Sequence, residues 1–290
     1  MYKNKLLIYG GNGWIGKQFC NYISQIDSIE LLYSKCRINM ENKVSFIDEL
    51  DRLKPTHAIC FLGRTNGKIG NKIYSTIDYL ENDDKLTENI NDNLYAPIIL
   101  ALLCQQKNIH FTYIGTGCIY NGNNIYETDI PNFQESKYSL VKSFTDNIVD
   151  TINCLNLRIR MPITSVPSER NFITKIVNYK IIHSQVNSVT ILDDFIPIFV
   201  KMILNNMTGT FNCVNPNPID HNTMLKMYKM YVNSNHEWEN VDKQYLIKNG
   251  LIKAGRSNNT LNCNKILSYF DIPDTSQSLI NVLKTYKNNL

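Results

Sequence analysis

A doubly wound α/β fold, built on a parallel sheet with a smaller C-terminal lobe, is predicted by three observations. The apolar run Lys5–Tyr9 passes at once into Gly10-Gly-Asn-Gly13-Trp-Ile-Gly16 and then into a helical pattern reaching about Ser24. Further short apolar runs alternate with helical periodicity, as parallel strands and their crossovers require. Finally, Thr116-Gly-Cys118 closes one such run some twenty residues before Tyr138-Ser-Leu-Val-Lys142.

In the opening loop, Gly10 permits a tight turn, Gly13 lets backbone amides approach a pyrophosphate at the helix N-terminus, and Gly16 allows close helix–strand packing. Trp14 and Ile15 belong to the same dinucleotide-binding opening. The second strand, Ile29–Tyr33, ends where a carboxylate would bind the ribose 2′-hydroxyl of NAD. Ser34-Lys-Cys-Arg37 stands there instead, and the hydroxyl of Ser34 with the cation of Arg37 suits the 2′-phosphate of NADP.

Val44–Asp48 reads as the third strand and Ala58–Leu62 as the fourth, with Leu62 and Gly63 where the backbone passes the cofactor. Arg64–Asp84 reads as a long loop bordering the nicotinamide and the substrate. Lys85–Lys107 has helical periodicity interrupted by Pro97, which predicts a kink or a broken first half. Phe111–Gly115 is a strand, Ser136–Thr151 a helix, and Cys154–Arg160 a strand ending in Met161-Pro162.

Beyond it come a short helix at Asn171–Tyr179, a strand at Val189–Leu192, a helix at Asp193–Leu204, a strand at Gly209–Val214, and His221–Tyr231 with the terminal helices. The pattern predicts a Rossmann-type domain over residues 1–164 and a mainly substrate-binding lobe over 165–290. About one helix and one strand near 189–214 return to the sheet.

Hydrophobic residues make up 43% of the chain and charged residues 19%, ordinary values for a globular protein. The net charge of +4 is spread along the chain, so nothing points to nucleic acid. No apolar stretch approaches the ~18–20 residues of a membrane span, and Met1–Lys5 leads into the first strand without a signal-peptide pattern. The eight cysteines include no Cys-x-x-Cys pair and read as the reduced thiols of a soluble cytoplasmic protein. Without clustered His/Cys spacing, no metal site is expected.

Tyr138 and Lys142, one helical turn apart, share a face, so the ammonium can favour the phenolate and make the phenol usable as an acid near neutral pH. Among 17 tyrosines such a spacing arises readily by chance. Its weight comes from the setting. On such a sheet the strand carboxyl ends form the ligand crevice, where Thr116 arrives and Tyr138 faces it. The three read as the Ser/Thr-Tyr-Lys triad of extended short-chain dehydrogenases/reductases.

Seven stretches, two of them those of the triad, sharpen the resemblance: Lys54-Pro-Thr-His57, Thr116-Gly-Cys-Ile-Tyr120, Pro131-Asn-Phe133, Tyr138–Lys142, Arg158-Ile-Arg-Met-Pro-Ile163, Arg170-Asn-Phe-Ile-Thr-Lys175 and Gly255-Arg-Ser-Asn-Asn259. Over nearly its whole length the chain resembles the bifunctional UDP-4-keto-6-deoxyglucose 3,5-epimerase/4-reductases of plant-type UDP-L-rhamnose synthesis. The resemblance implies an NADPH-dependent enzyme acting on a UDP-linked 4-keto-6-deoxy sugar. It implies that Thr116 and Tyr138 hold O4 and that Lys142 tunes Tyr138 and holds the nicotinamide ribose. Cys118 and Lys175 would be the base and acid of epimerisation, and Asn171 and Arg256 would contact the diphosphate or sugar. It also implies a homodimer formed through the helices Lys85–Lys107 and Ser136–Thr151.

The chemistry is coherent with these residues. A ketone at C4 acidifies the hydrogens at C3 and C5, so one oxyanion site serves two deprotonations and a hydride addition. The chain departs from the family around Gly63-Arg64-Thr65 and in the loop through Asn82. A 4-reductase without epimerase activity needs only the triad and stays open, with Cys118 and Lys175 deciding. A non-catalytic NADP-binding regulator would be expected to lose part of the triad. A 4,6-dehydratase would carry Asp-Glu where Gly117-Cys118 stands.

Overall fold

Successive residues of the first strand, β1 (Asn4–Tyr9), point to opposite faces, and from Leu6 to Tyr9 both sets are apolar and buried. Leu6 and Ile8 join one core, Leu7 and Tyr9 another, so this strand must lie in a sheet covered on both sides. The computed structural model, which describes residues 4–36, 43–249 and 255–290, shows that sheet. Its other strands are β2 (Ile29–Tyr33), β3 (His57–Cys60), β4 (His110–Thr116), β5 (Leu155–Ile159) and β6 (Gly209–Asn212).

The spatial order is β2-β1-β3-β4-β5-β6, and every pairing is parallel. The chain leaves β1 in one direction to β2 and resumes on its other side at β3. The crevice therefore opens between the carboxyl ends of β1 and β3.

On one face, Phe19, Cys20 and Ile23 of helix α1 (Trp14–Ile23) pack with Phe195, Phe199 and Ile203 of the helix Leu192–Leu204. The other face is covered by Phe46 and Leu50 of α2 (Lys43–Leu53) and Leu100, Leu103 and Cys104 of α3 (Ala96–Gln106). Phe19, Phe46, Phe195 and Phe199 are each wholly buried. Each such side chain is worth about 1.5–3 kcal/mol relative to exposure.

Three expectations are corrected. Val44–Asp48 is not a strand but the first half of α2, because Phe46 and Leu50, four apart, both reach the core. Val189–Leu192 forms no strand of the sheet. Its backbone runs beside residues 160–163, with Thr190 N donating to Arg160 O (2.7 Å) and one bridge joining Ile163 to Ile191, before Leu192 opens the helix. The stretch Arg64–Asp84 is not structureless: Gly67–Ile69 pairs antiparallel with Lys72–Tyr74 about a Gly70-Asn71 turn, where Gly70 has φ +55°. The interruption expected at Pro97 is present, as a π-helical turn at Asn91–Tyr95 between Leu86–Ile90 and α3. Proline cannot donate to the carbonyl four residues back, that of Asn93, and the Thr145 hydroxyl donates to it instead (2.5 Å).

After β5 the chain builds a separate core from Ile163, Ile173 and Ile176 and the helices His221–Tyr231 and Thr275–Asn288, where the rings of Tyr228 and Tyr286 meet edge-on at 6.4 Å. Among the described residues no helix is long and apolar enough to cross a membrane, and no group of three metal-ligating side chains comes together.

Candidate active site

At the end of β1, Gly10 takes φ +79°, and a Cβ there would lie 3.0 Å from both Leu62 N and Phe61 C. A Cβ on Gly16 would stand 2.5 Å from Gly10 O, so helix and turn meet this closely only through glycine. Gly13 supplies no side-chain cap, which leaves the first amides of α1 open. They face a cavity of about 930 Å³ bordered here by residues 12–17, Leu62 and Gly63. These features fit a pyrophosphate, and with it a nicotinamide dinucleotide.

A neighbouring cavity of about 610 Å³ is bordered by Gly10, Lys35, Cys36 and Ala96. The turn after β2 holds a surprise. Glu49, buried on α2, accepts from Ser34 Oγ (2.7 Å) and Lys35 N (3.0 Å), so a carboxylate lies at the ribose end after all, engaged with the protein. Arg37 lies outside the described residues.

Thr116 ends β4 and its Oγ1 accepts from Cys118 N (3.1 Å). Tyr138 and Lys142 ride on the helix Lys137–Val149, whose start is pinned to the same loop. Ser136 caps the helix by accepting from Ser139 N (3.1 Å), and Ser139 Oγ donates to Cys118 O (2.8 Å). Thr116 and Tyr138 border the same cavity.

The expectation that Lys142 makes the phenol more acidic is corrected. Burial holds Tyr138 above the usual phenol range, with Cys118 adding to the rise and Thr116 and Arg160 opposing it. Lys142, itself 4% exposed, turns its ammonium to the Tyr113 hydroxyl, and burial lowers it to about 8.

On the lobe side, Lys175 Nζ donates to Ser75 O (3.4 Å), and burial together with Arg170 and Arg256 lowers its pKa. Arg256 Nη2 binds both carboxylate oxygens of Asp78 (3.0 and 2.9 Å). The segment after β3 is thus a wall touching both halves of the site. Its other end is fixed where Glu81 accepts from Lys137 N (3.0 Å).

Thr116, Cys118, Tyr138, Lys142, Lys175 and Arg256 all border the larger cavity, together with Gly13, Trp14, Ile15 and Gly16. Asn171 does not. It is wholly buried and caps the short helix Phe172–Ile176, with Oδ1 accepting from Ile173 N (3.3 Å) and Nδ2 donating to Thr164 O (2.7 Å) and Val166 O (3.0 Å). That role leaves it no atom for a ligand, and its neighbour Arg170 borders the cavity instead. The sequence reading also passed over Arg160, whose guanidinium reaches Cys118, and Tyr113. Arg158 and Arg160, two apart in extended sequence at the end of β5, are the available signal for Arg160.

No family model matches the chain. It is 42% identical to protein L780 of Acanthamoeba polyphaga mimivirus over 98% of this chain and 99% of that one. The crystal structure of that protein, a UDP-rhamnose synthase, matches with a TM-score of 0.91 over 97% and 99% of the two chains. A bifunctional dTDP-4-dehydrorhamnose 3,5-epimerase/dTDP-4-dehydrorhamnose reductase of Arabidopsis thaliana is 32% identical over 94% of this chain and 90% of its own length. In fold alone, the chain is also similar to a dTDP-4-dehydrorhamnose reductase of Bacillus anthracis in complex with NADP. That match has 16% identity and a TM-score of 0.77, over 97% of this chain and 98% of that one. On the near full-length matches to the viral and plant proteins, the chain belongs to the bifunctional 3,5-epimerase/4-reductase family of rhamnose nucleotide-sugar synthesis.

Proposed function

We propose that this chain converts UDP-4-keto-6-deoxy-D-glucose to UDP-L-rhamnose, epimerising C3 and C5 and then reducing C4 with NADPH. The observation that carries the reading is that Thr116, Cys118, Tyr138, Lys142 and Lys175 border one cavity. A simple reductase would use the triad and have no need of Cys118 and Lys175.

In this reading O4 lies against the hydroxyls of Thr116 and Tyr138. Cys118 Sγ takes a hydrogen from C3 or C5 as a proton: the C–H bond breaks, an S–H bond forms, and the electron pair passes through the new C=C bond to leave its charge on O4. Lys175 Nζ, from the lobe, returns a proton to the carbon, a task eased by its lowered proton affinity. Bound NADPH supplies the hydride for C4. Tyr138 Oη then gives its proton to O4. The open amides of α1 would hold the pyrophosphate of the cofactor and Lys142 its nicotinamide ribose, while Arg170 and Arg256 suit the sugar diphosphate.

Residues 1–164 would mainly bind the cofactor and residues 165–290 the sugar nucleotide. Preference for NADPH over NADH rests on the cations Lys35 and Arg37 at the end of β2, because the Ser34 hydroxyl is already given to Glu49. A homodimer would cover Leu102, Phe144 and Ile148, which stay exposed on α3 and the helix Lys137–Val149.

Incubation in D₂O with NADPH and the UDP- or dTDP-linked 4-keto sugar tests the reading. The expected product is UDP-L-rhamnose carrying deuterium at C3 and C5. A sugar reduced at C4, with both centres unepimerised and no deuterium there, would make the chain a plain 4-reductase.

A further inference from the structure

Two arginines stand two residues apart at the end of β5, both 2% exposed, and their surroundings differ. Arg158 is fully compensated: Nε and Nη2 bind the two oxygens of the buried Asp146 (3.0 and 2.5 Å), and Nη1 donates to Glu127 O (3.0 Å). Arg160 has no carboxylate within ion-pair distance among the described residues. Its Nη2 donates to Asn187 Oδ1 and Ser257 O (both 2.6 Å), its Nη1 to Ser257 Oγ (2.9 Å) and Cys118 Sγ (3.0 Å), and its buried Nε has no partner.

A guanidinium does not lose its proton in a protein, and a charge taken out of water needs a counter-charge. Of the groups Arg160 touches among the described residues, only one can supply it. Asn187 and Ser257 are neutral, whereas a thiol can ionise. We infer that Arg160 is the counter-ion that holds Cys118 as a thiolate facing the cavity, a positioning residue for the proton-abstracting step. The inference deepens the epimerase reading and rests on it for its catalytic meaning.

Three features support the assignment. The fork is rigid, because Asn187 is wholly buried and its Oδ1 also accepts from Asn259 N (3.0 Å), which fixes the direction in which Nη1 points. Cys118, Arg160 and Ser257 all border the larger cavity, so the sulfur is held where a sugar would lie. Arginine is also the suitable cation: it stabilises the thiolate without offering a proton that would return to sulfur ahead of the substrate. Among the described residues, the other ionisable groups electrostatically linked to this pair are Tyr138 and Lys142 from the helix Lys137–Val149 and His221 from the lobe.

The test is alkylation by iodoacetamide between about pH 6 and 9, with the modified peptide containing Cys118 quantified by mass spectrometry. Burial raises Cys60, Cys104 and Cys154 to about 12, so they react slowly. In the parent protein the Cys118 rate should be nearly flat through the neutral range. In Arg160→Gln it should fall about tenfold or more near neutral pH and climb about tenfold per pH unit, as a free thiol does, with Arg160→Lys restoring part of the loss. A parent rate that itself climbs this way overturns the inference without need of any variant, as does a rate unchanged in Arg160→Gln. The readout uses no sugar, so failure of the epimerase reading shows separately, as absent deuterium at C3 and C5.

Discussion

Replacing Lys142 with methionine should make the protein more stable while removing its activity. Burial lowers the ammonium from the ordinary 10.5 to about 8, against the opposing influence of Cys60, Asp146 and Cys118. Above 8 the folded chain begins to release a proton that the unfolded chain keeps until about 10.5, so the ammonium penalises folding most at neutral pH and less as pH rises. At about 1.4 kcal/mol per pH unit, the gap between the two values is worth about 3 kcal/mol near pH 7. Lys142→Met removes that penalty at similar volume but strips the buried Tyr113 hydroxyl of its donor, at a cost of about 1 kcal/mol. The variant should thus be about 2 kcal/mol more stable near pH 7. Near pH 9.5 the parent's penalty has dropped to about 1 kcal/mol and the two proteins should nearly coincide. Urea unfolding followed by circular dichroism at both pH values measures the difference. A variant less stable than the parent near neutral pH, or a difference independent of pH, would refute the claim that burial dominates this lysine.

Tyr138→Phe should slow reduction roughly 100-fold or more while leaving cofactor affinity nearly intact, which single-turnover kinetics and a binding titration can separate. Removing the cation in Arg37→Ala should narrow the preference for NADPH over NADH; equal affinities in the parent would instead reassign the turn after β2. Asp146→Asn should destabilise the fold by about 3–5 kcal/mol, seen as a lower urea midpoint, because it leaves the buried Arg158 guanidinium without its counter-charge.

The parts of this molecule legible in the sequence are those in which a local rule and the tertiary structure agree. Gly10 and Gly16 sit where a Cβ would collide, so their spacing carried the strand–turn–helix geometry directly. Pro97 lacks the N–H that a continuous helix would give to Asn93 O, and the interruption lies there. Val44–Asp48 misled because its short apolar run satisfies a strand pattern, while the helical spacing of Phe46 and Leu50 shows only over a longer window. Asn171 misled for a different reason: a polar residue beside Arg170 suits a diphosphate, yet the same side chain is an effective N-cap, and the short helix Phe172–Ile176 took it. Glu49 and Arg160 were out of reach because their roles depend on partners far along the chain. Glu49 meets a turn 14 residues before it, and Arg160 meets Ser257, 97 residues after it.

The raised proton affinity of Tyr138 looks unhelpful for an acid, yet it suits the proposed order of events. Burial keeps the phenol protonated, with Cys118 adding to the rise and Thr116 and the nearby Arg160 limiting it. During epimerisation Tyr138 meets an enolate oxygen, a moderate base. A more acidic phenol would hand its proton to that oxygen and quench the nucleophilic carbon; this one hydrogen-bonds to the enolate and keeps its proton, so the carbon can take one from Lys175. After hydride reaches C4, the same hydroxyl meets an alkoxide, a far stronger base, and the transfer becomes favourable despite the raised pKa. One phenol can therefore stabilise without protonating in the first stage and protonate in the second, with the basicity of O4 selecting between them.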